Sequence, residues 1–155
     1  MSTRPRRAES VLVVVAAPQR FLLLRRCQPA NFWQSVTGAL EWGETPHAAA
    51  RRELKEETGW DGDPRDLQFC FRFPIVPPWT ARYQFRDKTN LEHVFAFHLS
   101  SAIPPVLNPE EHCEFAWLPL DEALRRVSSE TNRRAILACS AADEAMRQES
   151  GNGSD

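Results

Sequence analysis

At 155 residues, 42% apolar and 26% charged, the chain has the composition of one soluble globular domain, which excludes global disorder and a membrane-embedded protein. Its net charge of -2 supplies no broad positive field, and the run Arg4, Arg6, Arg7 is too short to create one, so bulk nucleic-acid binding is excluded too. No nucleic-acid or membrane partner is expected.

Residues 1–9 are polar and expected to be loosely held. The β-branched run 11–17 reads as a buried strand and 21–24 as a second, joined by the turn signal Pro18, Gln19, Arg20 into a hairpin. The run 11–17 is too short for a secretory signal and lacks a small-residue cleavage site. Cys27, Cys70, Cys113 and Cys139 are scattered without a C-x-x-C pair and read as free thiols, so a reducing cytoplasm is the expected compartment. Residues 32–36 predict a short strand that ends at Thr37 and Gly38.

A helix follows over 46–58. Thr45 can cap it, Pro46 takes the first turn where its missing N–H costs nothing, and Gly59 stops it. Further strands are predicted near 67–73, 92–99 and 114–118, with a proline-rich loop (Pro74, Pro77, Pro78) between the first two. Helices are predicted near 121–127 and 130–148, before a flexible tail at 149–155. Strands interspersed with helices give one α/β domain over 1–155, a sandwich with a mixed sheet.

Glu53, Glu56 and Glu57 stand at i, i+3 and i+4, so three carboxylates share one helix face and repel unless a cation joins them. All-oxygen ligands suit a hard cation, magnesium (Mg2+) or manganese (Mn2+), which bridges carboxylates to phosphates. Read alone, the same three glutamates also describe a solvated face paired with Arg51, Arg52 and Lys55. Glu110 and Glu111, ahead of a predicted strand, are candidates for a further base or ligand. His47, His93, His98 and His112 show no spacing that builds a transition-metal site with the cysteines and read as ordinary.

The whole string over 38–60, GALEWGETPHAAARRELKEETGW, carries the decision. Gly38, Glu44, Arg52, Glu53, Leu54, Glu56, Glu57, Gly59 and Trp60 fill every position of the Nudix box, so the chain resembles the Nudix hydrolase superfamily. A chance match is on the order of one in a million at background residue usage. The resemblance implies an α/β/α sandwich with a mixed sheet, in which Gly38 lets the chain turn tightly, Glu44 pairs with Arg52, and Leu54 anchors the helix on the sheet. The remaining glutamates are left to a divalent metal that neutralises a phosphate chain and positions a water for in-line attack.

The flanks, at Arg25, Arg26 and 32–38, at Glu111, His112, Trp117 and Leu118, and at 131–136, resemble the bacterial dihydroneopterin triphosphate pyrophosphatases. That implies a small-molecule pterin triphosphate cleaved to a monophosphate and pyrophosphate in folate synthesis. It also implies Glu53, Glu57 and Glu111 as metal ligands and catalytic groups with Glu56 assisting, and Arg26, Thr37, Arg6 and Ser129 as substrate contacts. Trp33 could stack on a flat ring or serve as core. Segment 73–89 departs most from that subfamily, so a substrate-shaping loop is expected to differ there. Two rivals share the box: a house-cleaning nucleoside triphosphate pyrophosphohydrolase, and a non-catalytic nucleotide-sensing module, whose expected sign would be eroded glutamates.

Overall fold

The computed structural model describes residues 4–77, 79–84 and 86–151. Its elements are β1 (Glu9–Ala17), β2 (Arg20–Arg26), β3 (Trp33–Gln34), β4 (Val36–Ala39), α1 (Pro46–Thr58) and β5 (Arg65–Pro74). A 3-10 turn (Trp79–Arg82), β6 (Thr89–His98), β7 (His112–Leu118), α2 (Leu120–Arg126) and α3 (Glu130–Gly151) complete the chain.

Strand order is β3-β2-β1-β6-β5, with β4 also on β1 and β7 also on β2. The β1–β6 pair is parallel and the others are antiparallel, so the sheet is mixed. Continuous apolarity in β1 follows from burial on both faces. Leu12, Val14 and Ala16 pack toward Ala123, Val127, Ala135, Ile136 and Cys139 of the C-terminal segment. Val11, Val13 and Val15 pack toward Ala49, Ala50 and Leu54 of α1. The α/β/α layering expected from the resemblance is the layering found. By contrast β5 is an edge strand with alternating burial, apolar on one face only.

Helix α1 starts and stops where its residues dictate. Thr45 Oγ1 accepts from the Ala48 N–H at 3.2 Å. Gly59, at φ 82, donates its N–H to Lys55 O in the left-handed conformation that side chains resist. Both ends therefore hold the glutamate-bearing face in a fixed register on the sheet.

Five expectations need correction. The cysteines are not all free: Cys27 and Cys113 form a disulfide across 86 residues, because β2 and β7 pair side by side, while Cys70 and Cys139 remain thiols. The single strand over 32–36 is two, broken at Ser35, whose N–H turns to Asn132 Oδ1 at 2.7 Å, and β4 continues through Thr37 and Gly38. Pro74 closes β5 instead of opening a loop, Trp79–Arg82 is a helical turn, and Pro78 lies outside the described residues. Finally, residues 4–9 are tied down: Arg7 Nη1 donates to the carbonyls of Glu41 (3.2 Å) and Glu44 (2.9 Å), and Pro5 O accepts from Trp42 Nε1 at 2.9 Å. At the other end α3 reaches Gly151, three residues past its expected stop at 148. Among the described residues no helix is long and apolar enough to cross a membrane.

Candidate active site

The three glutamates of α1 do not share one fate. Glu53 is 9% exposed and Glu57 1%, whereas the Glu56 side chain is 53% exposed. Arg52 organises them, because its guanidinium has five donors in a fixed fork and every one is directed at an acceptor. Nε and Nη2 grip both oxygens of Glu44 at 2.8 Å each, and Nη2 also reaches Ala39 O at 3.0 Å. Nη1 reaches Glu53 Oε1 at 2.7 Å and Glu56 Oε2 at 3.3 Å. Glu44 is thus held by Arg52 in the bidentate geometry expected of it, and that hydrogen bonding keeps its carboxyl below the usual carboxylate range despite partial burial.

Gly38 has a different reason from the tight turn. It sits inside β4, opposite Val11, and a Cβ there would overlap the Glu53 carboxylate. Its missing side chain is the space Glu53 occupies.

Burial raises the Glu53 carboxyl to about 7, against the pull of Arg52 and with the neighbouring Glu56 and Glu111 adding to the rise. Glu57 is pushed well above its ordinary value by burial first and then by Glu53 and Glu111, only partly offset by the Thr37 N–H, which donates to Glu57 Oε2 at 3.1 Å. Burial first, and then repulsion between neighbouring carboxylates, disfavours ionising both groups at once, and a cation among them would restore both to carboxylates. A carboxylate oxygen of Glu57 and one of Glu111 lie within 4.8 Å of one another, with a His112 ring nitrogen as close beside them. The residues therefore fit the divalent cation that Nudix enzymes use.

Glu111 is delivered by a turn. The N–H groups of Glu111 and His112 donate to Asn108 O at 3.1 and 2.9 Å, and Glu111 O accepts from the Cys27 N–H at 3.0 Å, next to the disulfide. His112, read as ordinary from sequence, is 2% exposed beside Glu57, and burial together with the charge of Arg26 lowers its imidazole to about 4. His98, likewise read as ordinary, meets Asp143 at 2.9 Å next to Cys139 on the far side of the molecule, where Arg65 also reaches Asp143 at 3.6 Å. That cluster balances its own charge.

A cavity of about 740 Å³ opens over Glu53, Glu57 and Glu111, a volume suited to a small ligand. Arg6, Arg26 and Thr37, expected as substrate contacts, are among its lining residues, and Glu56 and Glu110 are not. Ser129 is not among them either, since its Oγ accepts from the Asn132 N–H (3.2 Å) and Nδ2 (2.7 Å) at the start of α3. Trp33 packs against the core under the Arg126 guanidinium, not on the cavity. Sequence reasoning missed Gln34, Trp79, Arg82 and Tyr83. The signal for the last three was the cluster of two aromatics and one arginine in 79–83, within the segment expected to hold a substrate-shaping loop but with no residue singled out there. There Arg26 and Arg82 lie 5.7 and 5.1 Å from the Trp79 ring centroid, and Arg6 lies 5.9 Å from that of Tyr83.

The NUDIX domain profile matches residues 6–139. The dihydroneopterin triphosphate diphosphatase of Haemophilus influenzae is 35% identical over 135 residues, spanning 83% of this chain and 84% of that protein. The protein of the same name from Escherichia coli strain K12 is 36% identical over 138 residues, spanning 84% and 91%. The solved structure of the E. coli dihydroneopterin triphosphate pyrophosphohydrolase superposes with a TM-score of 0.79 at 36% identity, over 85% of this chain and 94% of that one. The chain belongs to the NUDIX family and is a hydrolase of phosphoanhydride bonds.

Proposed function

We propose that this enzyme cleaves dihydroneopterin triphosphate to dihydroneopterin monophosphate and pyrophosphate, with Mg2+ held by Glu53, Glu57 and Glu111. The observation that carries the substrate is the likeness to two dihydroneopterin triphosphate diphosphatases along 83–84% of the chain. What supports the ligand set is the convergence of two buried helix carboxyls and one loop carboxyl on a single cavity.

When bound, the cation neutralises phosphate charge and lowers the pKa of a coordinated water. The chain supplies the remainder. Arg6 and Arg26 meet phosphate oxygens, a role in which a guanidinium binds bidentately, and Thr37 lines the same cavity with its N–H on Glu57. Glu111 accepts the proton of the attacking water as the new P–O bond forms, and the anhydride P–O bond breaks to release pyrophosphate. Glu56, exposed and paired with Arg52, assists through its charge on Glu53 and Glu57. Ser129 contributes by capping α3 and not by touching substrate. A cytoplasmic setting belongs to the same proposal and rests on the substrate, a charged triphosphate that does not cross a bilayer unaided. The cysteines lend it no support, since two of the four are bonded.

The test is a panel of pyrophosphate and phosphate release with Mg2+, ranking dihydroneopterin triphosphate, the nucleoside triphosphates, ADP-ribose and diadenosine polyphosphates by kcat/KM. The pterin is expected to lead with pyrophosphate as product. Rapid cleavage of a nucleotide with none of the pterin would replace the substrate and keep the metal chemistry, while no hydrolysis of any of them would leave only a sensing role.

A further inference from the structure

His112 follows Glu111 in the chain, yet its side chain enters the core where Glu111 stays exposed. Its Nε2 lies 3.1 Å from Gln34 Nε2, and its Nδ1 lies 3.7 Å from Glu57 Oε1, buried and without a hydrogen bond. The first contact decides the second. An amide nitrogen donates only, so with the Gln34 amide in this orientation His112 Nε2 accepts, and the Glu57 carboxylate facing Nδ1 calls for the proton on that side of the ring. An imidazolium would set donor against donor. The one ring proton therefore sits on Nδ1, facing Glu57.

We infer that His112 is a positioning residue for Glu57: fixed by Gln34 as the Nδ1–H tautomer, it directs that N–H at Glu57 Oε1 and locks the carboxylate for the metal. The inference rests on the assignment of Glu57 to the metal. At 3.7 Å the pair is a small side-chain movement from a hydrogen bond of about 2.7–3.2 Å. With the Thr37 N–H already on Oε2 at 3.1 Å, each oxygen of Glu57 then faces one protein donor and keeps its other lone pair for a cation. Ligand carboxylates held by such partners bind metal more tightly, and losing a partner typically costs about 10–100-fold in affinity or activity. One turn of chain thus supplies two functions, bringing the Glu111 carboxylate to the cavity and bracing the helix glutamate through the next residue.

The tautomer is measured directly on the intact wild-type protein by nitrogen-15 NMR of the histidine rings. A protonated Nδ1 and bare Nε2 at His112 is expected, and a protonated Nε2 would overturn the inference whatever the variants do. Mn2+ affinity, kcat and KM are then compared in H112F and H112N. Phenylalanine keeps the bulk and removes the donor, whereas the asparagine Nδ2–H falls near the position of the imidazole Nδ1. H112F should bind Mn2+ about 10-fold more weakly and lose kcat with little change in KM, with most of both restored in H112N. Unchanged Mn2+ affinity in H112F, or equal losses in the two variants, would make the role purely one of packing and sink the proposal. Should H112F not fold, the wild-type tautomer and near-native Mn2+ affinity in H112N decide. E57Q separates the two levels: Mn2+ affinity that survives there removes the metal assignment itself, without altering the His112 tautomer.

Discussion

Glu92, at 6% exposure, is buried as Glu53 and Glu57 are, but it is not among the residues that line the cavity over them. It lies in β6 opposite Ser10, whose hydroxyl donates to Oε2 at 2.9 Å while accepting from Asn90 Nδ2 at 2.7 Å. Burial raises its carboxyl to about 7, and the Ser10 hydrogen bond offsets only part of that rise. Below about pH 4.5 the group is protonated in both folded and unfolded chains and costs nothing. Between about 4.5 and about 7 the unfolded chain releases the proton that the folded chain retains, so stability falls as pH rises through this window and levels above it. Replacing Glu92 with Gln keeps an acceptor for Ser10 and removes the titration. E92Q should therefore be more stable than wild type at pH 7.5, by up to about 3 kcal/mol, and equal to it below pH 4.5. Urea denaturation at the two pH values checks this, and a stability difference independent of pH would refute it.

At the scale of elements, the sequence was most legible where signals are local. The cap at Thr45, the proline at the first turn and the glycine stop mark α1 to the residue, and the unbroken apolar run of β1 foretells a strand buried on both faces. Legibility ended where an element depends on a distant partner. Ser35 breaks the predicted strand because Asn132 claims its N–H from 97 residues away, and no local propensity records that. The disulfide was hidden for the same reason, since Cys27 and Cys113 become neighbours only once β2 lies against β7. Joining residues 86 apart removes a large loop from the unfolded ensemble, so reduction should lower stability by about 2–4 kcal/mol. The β2–β7 ladder should persist, because its hydrogen bonds run from Phe21 to Arg26 independently of the bond. The check is the denaturation midpoint with and without a dithiol reductant, read beside C113S. A reductant effect that persists in C113S would place its cause elsewhere.

For the whole molecule, the candidate site joins two kinds of information. The helix half is contiguous in sequence, since helix periodicity alone brings Glu53 and Glu57 to one face, and the box could be read from the chain directly. The cavity wall is assembled from the N-terminal segment, the end of β2 and the connection between β5 and β6, three stretches that meet only in the fold. Arg6 and Arg26 were legible through the resemblance, but their link to Trp79 and Tyr83 was not. Trp79 lies against both Arg26 and Arg82, so its ring holds two guanidiniums at the cavity by cation–π attraction. At about 0.5–1 kcal/mol for each exposed contact, W79A should raise KM for a triphosphate about 5- to 30-fold. Because Glu53, Glu57 and Glu111 are untouched, kcat should change little, the pattern of lost ground-state binding. The rise should shrink at high salt, which screens guanidinium and phosphate from one another. If kcat falls instead while KM holds, Trp79 shapes the reacting geometry, and the proposed division between a metal-bearing helix and a phosphate-gripping wall does not hold.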